Sequence, residues 1–358
     1  MKVLAIKVSP VGDTVMFLPV IQELRRVHPT WKIAVLTTPT CAGLFESSVE
    51  PGLLWTEDRT SLHRMWRHPL RALGWVLRVL RFDPDAVLVS FDQPSMARIL
   101  AAASGARTRI GGAESAVSWR HGLTNEVAIR PGHSLAQWDW EMARSLPGLA
   151  GDKWAEVPPR PSIGSQGKGE KRRTARIIVH PGASRAYQMW PAERFASLAL
   201  GLARDFEVLW VLSPGQTVRS PGGPVAEVET RSLESFIELA SSSDLFVGNH
   251  SGPFHLSAAI GTPCVIPTGP TLGVCDPPWS REGTHLMRMK GLPCMPCDKL
   301  IVSPNRCTNT DTPMACLNHW EPAAVEAACR EMLAKGRATG LDAPRPEADG
   351  EPGSAQAK

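Results

Sequence analysis

The stretch Val247-Gly248-Asn249-His250-Ser251-Gly252-Pro253-Phe254-His255-Leu256-Ser257-Ala258-Ala259-Ile260-Gly261-Thr262-Pro263 decides the fold. It enters as the end of a short apolar strand, Leu245 to Gly248, breaks on small and polar residues, and resumes as a helical run that Gly261 and Pro263 stop. A strand, a tight turn and a helix in that order leave first-turn N–H groups unpaired, and with the helix dipole these make a seat for phosphate. Ser251 adds a hydroxyl, Gly252 lets a ligand approach the backbone, and His250 and His255 bring imidazoles to the same end. Polar turn residues are common at any strand-to-helix junction, so on these residues alone a plain α/β junction stays open.

Working outward, the same unit recurs upstream. Arg176 to Val179 reads as a strand, followed by the loop His180-Pro181-Gly182-Ala183-Ser184, a helix from about Pro191 to Ala203, a strand at Glu207 to Leu212 and a helix at Leu233 to Ser241; Cys264 to Ile266 is a further strand. A separate series opens the chain. Lys2 to Ser9 is strand-like, Pro10-Val11-Gly12-Asp13 turns, and Val15, Leu18, Ile21, Leu24 and Val27 repeat at helical spacing up to Pro29, with strands at Lys32 to Thr37 and Asp85 to Ser90. Strands alternating with helices imply parallel sheets covered on both faces, whose ligands lie at the carboxyl ends of the strands. Gly12 and Asp13 fall at such an end; the plain role for Asp13 is a first-turn or capping carboxylate.

Two series in 358 residues imply two doubly wound domains. The expected limits are 1–157 and 175–335, joined by a Pro-, Gly- and basic-rich linker over 158–174 and followed by a disordered tail over 336–358, with a ligand cleft between the domains. No GxGxxG or GxxxxGK[ST] fingerprint follows a strand, which disfavours dinucleotide oxidoreductases and P-loop enzymes. The net charge of +4 is too mild to imply nucleic acid. No apolar run is long enough to span a bilayer, and Lys7 interrupts the opening apolar stretch, so a cytoplasmic protein with reduced cysteines is expected.

Two further stretches invite a ligand. Between Ser61 and Phe82, Arg64, Arg67, Arg71, Arg78 and Arg81 alternate with Trp66, Trp75 and leucines, and Pro69 starts a helix. The first reading is a helix packing its apolar side on the sheet with its arginines solvated; the same composition suits peripheral contact with an anionic membrane. Asp83-Pro84-Asp85 imitates a metal-binding carboxylate pair but precedes a strand, the wrong end for a ligand. Later, Cys294, Cys297, Cys307 and Cys316 form a CxxC pair followed by single cysteines after nine and eight residues. That set suits a structural zinc or iron site, or else four reduced structural thiols.

Taken in order, these motifs resemble glycosyltransferase family nine, the ADP-heptose:lipopolysaccharide heptosyltransferases. The resemblance rests on Val11-Gly12-Asp13 with Pro19, His180 to Ala183, Trp190-Pro191-Ala192-Glu193-Arg194-Phe195, Gly248 to Pro263, Thr268-Gly269-Pro270-Thr271, and the late cysteines before a final helix. It implies the GT-B fold, two Rossmann-like domains facing across a cleft with the acceptor on the N-terminal side and the nucleotide sugar on the C-terminal side. It also implies inverting transfer to a lipid-linked glycan without a required cofactor, with Asp13 as general base. Gly12, Ser184, Arg185, Gln188, His250, Ser251, Gly252 and His255 would then face the donor. Two positions depart from the family's pattern: His250 stands where an Asp is common, and Gln188 where many members carry a Lys, with Arg185 nearby to restore the cation. These departures keep two alternatives open, a different nucleotide sugar or a protein acceptor, and a ligand- or metal-binding module without transfer.

Overall fold

The computed structural model describes residues 1–113, 122–128, 130, 132–149, 154–164, 173–271, 273–281, 283–295, 297 and 306–338. The N-terminal half runs β1 (Lys2–Lys7), α1 (Val11–Val27), β2 (Lys32–Thr37), β3 (Leu54–Thr56), α2 (Arg59–His63), α3 (Pro69–Phe82), β4 (Ala86–Val89), α4 (Ser95–Ala103), β5 (Thr108–Ala113), β6 (Asn125–Ala128) and α5 (Leu135–Arg144). Its strands form one parallel sheet in the order β3-β2-β1-β4-β5-β6. The C-terminal half runs β7 (Arg176–His180), α6 (Ala192–Leu202), β8 (Glu207–Leu212), β9 (Val225–Glu229), α7 (Leu233–Ser241), β10 (Leu245–Gly248), α8 (Gly252–Ile260), β11 (Cys264–Thr268), β12 (Thr284–Arg288), α9 (Ala315–Asn318) and α10 (Pro322–Ala338). Its sheet is again parallel, in the order β12-β11-β10-β7-β8-β9.

Central strands β1 and β10 are apolar and buried on both faces because helices cover both sides. In each sheet the chain reverses direction beside that strand, and this is where a ligand crevice opens. The stop at the end of α8 is Gly261, whose φ of 95° a side chain would disfavour. Short edge strands β6 and β9 lack an apolar signature, being largely exposed, and escaped the sequence pattern for that reason.

One apolar core crosses the boundary between the halves. It contains Phe17 and Leu24 of α1 and Trp138 of α5 together with Phe236 of α7 and Phe254 and Leu256 of α8. Residues 158–164, expected to lie in a linker, pack beside it: Ile163 is buried, and Ser162 exchanges two hydrogen bonds with Gln22 of α1, at 2.6 and 2.9 Å. The helix α10 extends to Ala338, and residues 339–358 of the expected tail lie outside the described residues.

The arginine-rich helix α3 departs from its first reading. It turns Trp75 and Val79 inward and leaves Leu70, Leu73, Leu77 and Leu80 exposed. Its rotation is set by the buried Glu57 carboxylate, which accepts hydrogen bonds from Trp75 Nε1 at 2.9 Å and from the Arg71 guanidinium at 2.8 and 3.1 Å. A buried carboxylate must be paired, and pairing this one decides which face of the helix goes in. Asp83 caps α3 at a φ of 54° with its carboxylate 3.7 Å from Lys2 Nζ, and Asp85 accepts the Lys2 N–H, so both carboxylates are engaged by Lys2 at the N-terminal end of β1.

Candidate active site

The carboxyl ends of β1 and β10 face each other, and the helices that follow them, α1 and α8, meet across the gap. Gly12 lies against the ring of His255, and an added Cβ there would come within 2.7 Å of it. Gly252 lies against Val11, 3.2 Å from where its Cβ would stand. Gly252 therefore also serves the contact between the halves, since a side chain there would press on Val11 of the other half.

Beside this contact lies a cavity of about 190 Å³ whose lining includes Gly12, Asp13, Ser184, Arg185, Gln188, His250, Ser251, Gly252 and His255. All nine candidate site residues other than the cysteines thus line one space, contributed by both halves. Lys7, Phe91, Asp92, Leu135 and Thr271 complete much of its wall.

On the N-terminal side, the turn before α1 is locked by Thr14, whose hydroxyl donates to the carbonyls of Ser9 and Pro10 at 3.2 and 3.0 Å. That lock sets the first helical turn, where Asp13 sits. Burial raises the Asp13 pKa above its ordinary value, the neighbouring Lys7 opposes the rise, Asp92 adds to it and Arg59 opposes it. Lys7 is buried with Asp139 of α5: its Nζ donates to Ser90 Oγ at 2.7 Å and to Asp139 at 3.2 Å, and Ser90 Oγ donates to Asp139 at 2.8 Å. Asp92 at the rim is held by Arg59, which also donates to the carbonyl of Val8 at 2.9 Å.

On the C-terminal side, the N-terminal turn of α8 has no side-chain cap; Ser251, at the cap position, instead donates its hydroxyl to the Asn249 carbonyl at 3.3 Å. The first-turn N–H groups are left for an anion. Asn249 is fully buried and ties two loops together, donating to the Pro181 carbonyl at 2.7 Å and accepting from the Trp190 N–H at 2.8 Å. It thereby fixes the loop carrying Ser184, Arg185 and Gln188. Arg185 donates to Tyr187 Oη at 3.0 Å, and Gln188 lies 3.5 Å from Thr271 Oγ1.

His250 does not stand alone. Its Nε2 donates to Asp276 at 2.9 Å, and Arg288 donates to both oxygens of the same carboxylate at 3.0 Å. Burial works to raise the Asp276 pKa, but the hydrogen bonds from His250 and Arg288 outweigh it and hold the carboxyl below its ordinary value. A second cavity, of about 240 Å³, opens on the far side of this latch and is lined in part by Asp276, Pro277 and Thr284. His255 is buried, its pKa pushed down to about 3 by desolvation and by the neighbouring His250, and its Nδ1 has no hydrogen-bond partner among the described residues. Burial keeps it a neutral imidazole, with Nδ1 enclosed from solvent.

Residues 137–303 match the sequence profile of Glycosyltransferase family 9 (heptosyltransferase). Lipopolysaccharide heptosyltransferase 3 of Escherichia coli is 22% identical over 292 residues, 76% of this chain and 84% of that protein. The profile covers somewhat less than half of this chain, which is similar to glycosyltransferase family 9 over that part. Lipooligosaccharide heptosyltransferase 2 of Campylobacter jejuni is 27% identical over 132 residues, so that match spans only 33% of this chain and 41% of that protein. The solved ADP-heptose lipopolysaccharide heptosyltransferase II of E. coli superposes with a TM-score of 0.68 at 17% identity, covering 94% of this chain and all 100% of that one. This likeness gives the fold: the chain has the GT-B arrangement of two Rossmann-like domains.

The late cysteines of the chain also gather. The Cys316 thiol is pushed up to about 11 by burial and by the nearby Cys297, with Cys307 and Cys294 adding to the effect. Asn309 Nδ2 contacts Cys294 Sγ at 3.7 Å, and the Met314 N–H donates to Cys307 Sγ at 3.3 Å. Among the described residues no group of three or more His, Cys, Asp or Glu stands close enough to hold a metal in this arrangement.

Several residues of the site carry no family motif. Lys7, Asp276 and Arg288 are the main ones, and a signal existed for the first: a lysine at the end of an otherwise apolar strand must be paired if that strand is central.

Proposed function

We propose that this chain is an inverting glycosyltransferase that moves heptose from ADP-heptose to a lipopolysaccharide core or a related surface glycan. The reading is carried by one opposition: a sunken carboxylate, Asp13, faces an uncapped helix N-terminus and Arg185 across a single cavity. The family match and the heptosyltransferase relatives support heptose as the sugar, and the solved E. coli enzyme, described as an ADP-heptose enzyme, supports ADP as the carrier.

In this reading the Asp13 carboxylate takes the proton from an acceptor hydroxyl as that oxygen attacks the anomeric carbon. The carbon–oxygen bond to the diphosphate breaks on the opposite face, which inverts the configuration. The electron pair leaves with the nucleoside diphosphate, whose growing charge meets the first-turn N–H groups of α8 and the Arg185 guanidinium. Burial raises the Asp13 pKa and so makes the carboxylate a stronger base, while Lys7 keeps it ionisable. Arg185 supplies a cation where Gln188 cannot. The latch of Asp276 and Arg288 holds the His250 ring in place at the donor wall, and the space beyond the latch takes the nucleoside.

Thermal unfolding with ADP, UDP, GDP and CDP in turn tests the donor. ADP alone is expected to raise the melting temperature, because a ligand at a hundredfold excess over its Kd stabilises the folded state by about 2.7 kcal/mol. A rise with a different nucleotide would keep the transferase and change the donor. No rise with any of them would sink the reading and leave a chain with the fold and without the donor site.

Transfer as drawn needs no metal. The cysteine set is proposed as a structural site in which Cys294, Cys297, Cys307 and Cys316 hold zinc or iron. Crowded thiols that raise one another's pKa are a set that a bound dication relieves, and binding would draw the sulfurs to ligand distance. Metal analysis of purified protein is expected to find close to one ion per chain, and Cys297→Ser to lose it together with thermal stability. Wild-type protein that is free of metal and unchanged in stability after chelation would remove the site.

A further inference from the structure

Large apolar side chains exposed to solvent are not scattered evenly over this molecule. Of the eight among the described residues, five lie between Trp66 and Leu80. Trp66 is 72% exposed, Leu70 84%, Leu73 52%, Leu77 56% and Leu80 47%. The four leucines recur at intervals of three, four and three, which places them on one side of α3, across the helix from the buried Trp75 and Val79. A single exposed leucine needs no explanation; a stripe of four continued by a tryptophan does.

Charge around the stripe has one sign. From Arg59 to Phe82 the chain has six arginines, two histidines and no Asp or Glu. Arg64, Arg67 and Arg81 are exposed, and Arg67 stacks on the Trp66 ring at 4.8 Å. A notch of about 580 Å³ runs beside the stripe, lined by Trp55, Leu77, Arg78, Arg81 and Phe82. At its back the Arg78 guanidinium lies over both Trp55 and Trp75, at 4.8 and 5.5 Å. No helix among the described residues is long and apolar enough to cross a membrane.

We propose that α3 and the turn before it form a docking face for an anionic lipid bilayer, with the helix lying in the plane of the surface. Trp66 and the leucine stripe enter the boundary between headgroups and acyl chains, and the arginines on either side meet lipid phosphates. Arg78 and Arg81 at the notch accommodate a headgroup, guanidinium being suited to phosphate. An apolar partner protein would need no such excess of one charge, whereas a bilayer of anionic lipid needs both features together. The proposal stands apart from the donor and acceptor chemistry, so it survives or fails independently of the reading of the cleft.

The test is flotation of the full chain with vesicles of phosphatidylethanolamine, phosphatidylglycerol and cardiolipin, against vesicles of phosphatidylcholine alone. Wild type is expected to float with the anionic vesicles and not with the neutral ones, and to be released as NaCl is raised from about 0.1 to 0.5 M. The doubly substituted L73Q/L77Q chain, altered only at exposed positions, is expected to keep its melting temperature and lose vesicle binding on the order of tenfold. R67Q/R81Q is expected to weaken binding chiefly at low salt. Equal binding of wild type and L73Q/L77Q would overturn the proposal, as would wild type that ignores anionic vesicles. Sedimentation velocity supplies the remaining check: a wild-type dimer that L73Q/L77Q turns into monomers, with no vesicle binding by either, would assign the stripe to a second copy of the chain and overturn the lipid partner.

Discussion

Asp13→Asn is expected to lower kcat by roughly 10²- to 10⁴-fold, the range general base catalysis contributes, while ADP binds as before. The substitution keeps the shape of the side chain and removes its ability to take a proton. It is also expected to make the protein more stable at neutral pH. Burial holds the Asp13 pKa above its unfolded value, so the folded state favours the neutral form. The stability linked to that preference is present below the unfolded pKa and is lost as pH rises through the folded one. At pH 7 to 8 the wild-type chain therefore carries a charge its surroundings disfavour, and Asn does not. The melting temperatures of the two proteins should converge at acid pH and separate in favour of Asn above it. Activity should follow the opposite course: the acid limb of kcat/KM against pH should lie above the ordinary carboxylate range. A variant with wild-type turnover would remove Asp13 from the role of base, and one less stable than wild type at every pH would remove the burial-raised pKa.

Lys7→Met is expected to cost about 3–5 kcal/mol of stability, the usual result of leaving one member of a buried ion pair alone. Here the abandoned group is Asp139, buried in α5 and left with the Ser90 hydroxyl and the Phe91 N–H. Loss of Lys7 also removes the cation that opposes the rise in the Asp13 pKa, so the acid limb of activity should move to still higher pH. The double variant Lys7→Met/Asp139→Leu separates the two effects. Replacing both partners by apolar groups of similar volume restores most of the stability, because the desolvation of both charges disappears with their attraction. It restores the field at Asp13 only in part, because Asp139, whose charge raised the Asp13 pKa, acts less strongly there than Lys7. Denaturant unfolding and pH–rate profiles of the single and double variants check this, and recovery of the wild-type acid limb in the double variant would show that Lys7 acts on the fold alone.

The division into two parallel α/β halves was legible because their central strands and helices are apolar at the right periods. Lys32–Thr37, Glu207–Leu212 and Leu245–Gly248 coincide with strands read from periodicity, and Leu233–Ser241 with a helix. The edges were not legible: β6 and β9 bury too little to leave a pattern. In the site, residues at strand ends and helix starts, such as Asp13 and Ser251, follow from local order along the chain. Asp276 and Arg288 do not, since they reach His250 from a segment more than twenty residues away whose local sequence carries no sign of it. For α3 the composition allowed two rotations, and what decided between them was a carboxylate outside the helix, Glu57.

The meeting of α1 and α8 has a mechanical consequence. Gly12 faces His255 and Gly252 faces Val11, so at each of two neighbouring points one partner brings no side chain of its own. Close-packed interiors leave no slack at such points, so a methyl group added at either glycine would act as a wedge between the halves. Both glycines also line the cavity that holds Asp13 and Arg185. The spacing of the two halves at that cavity is thus set by the two residues that bring no side chain to it.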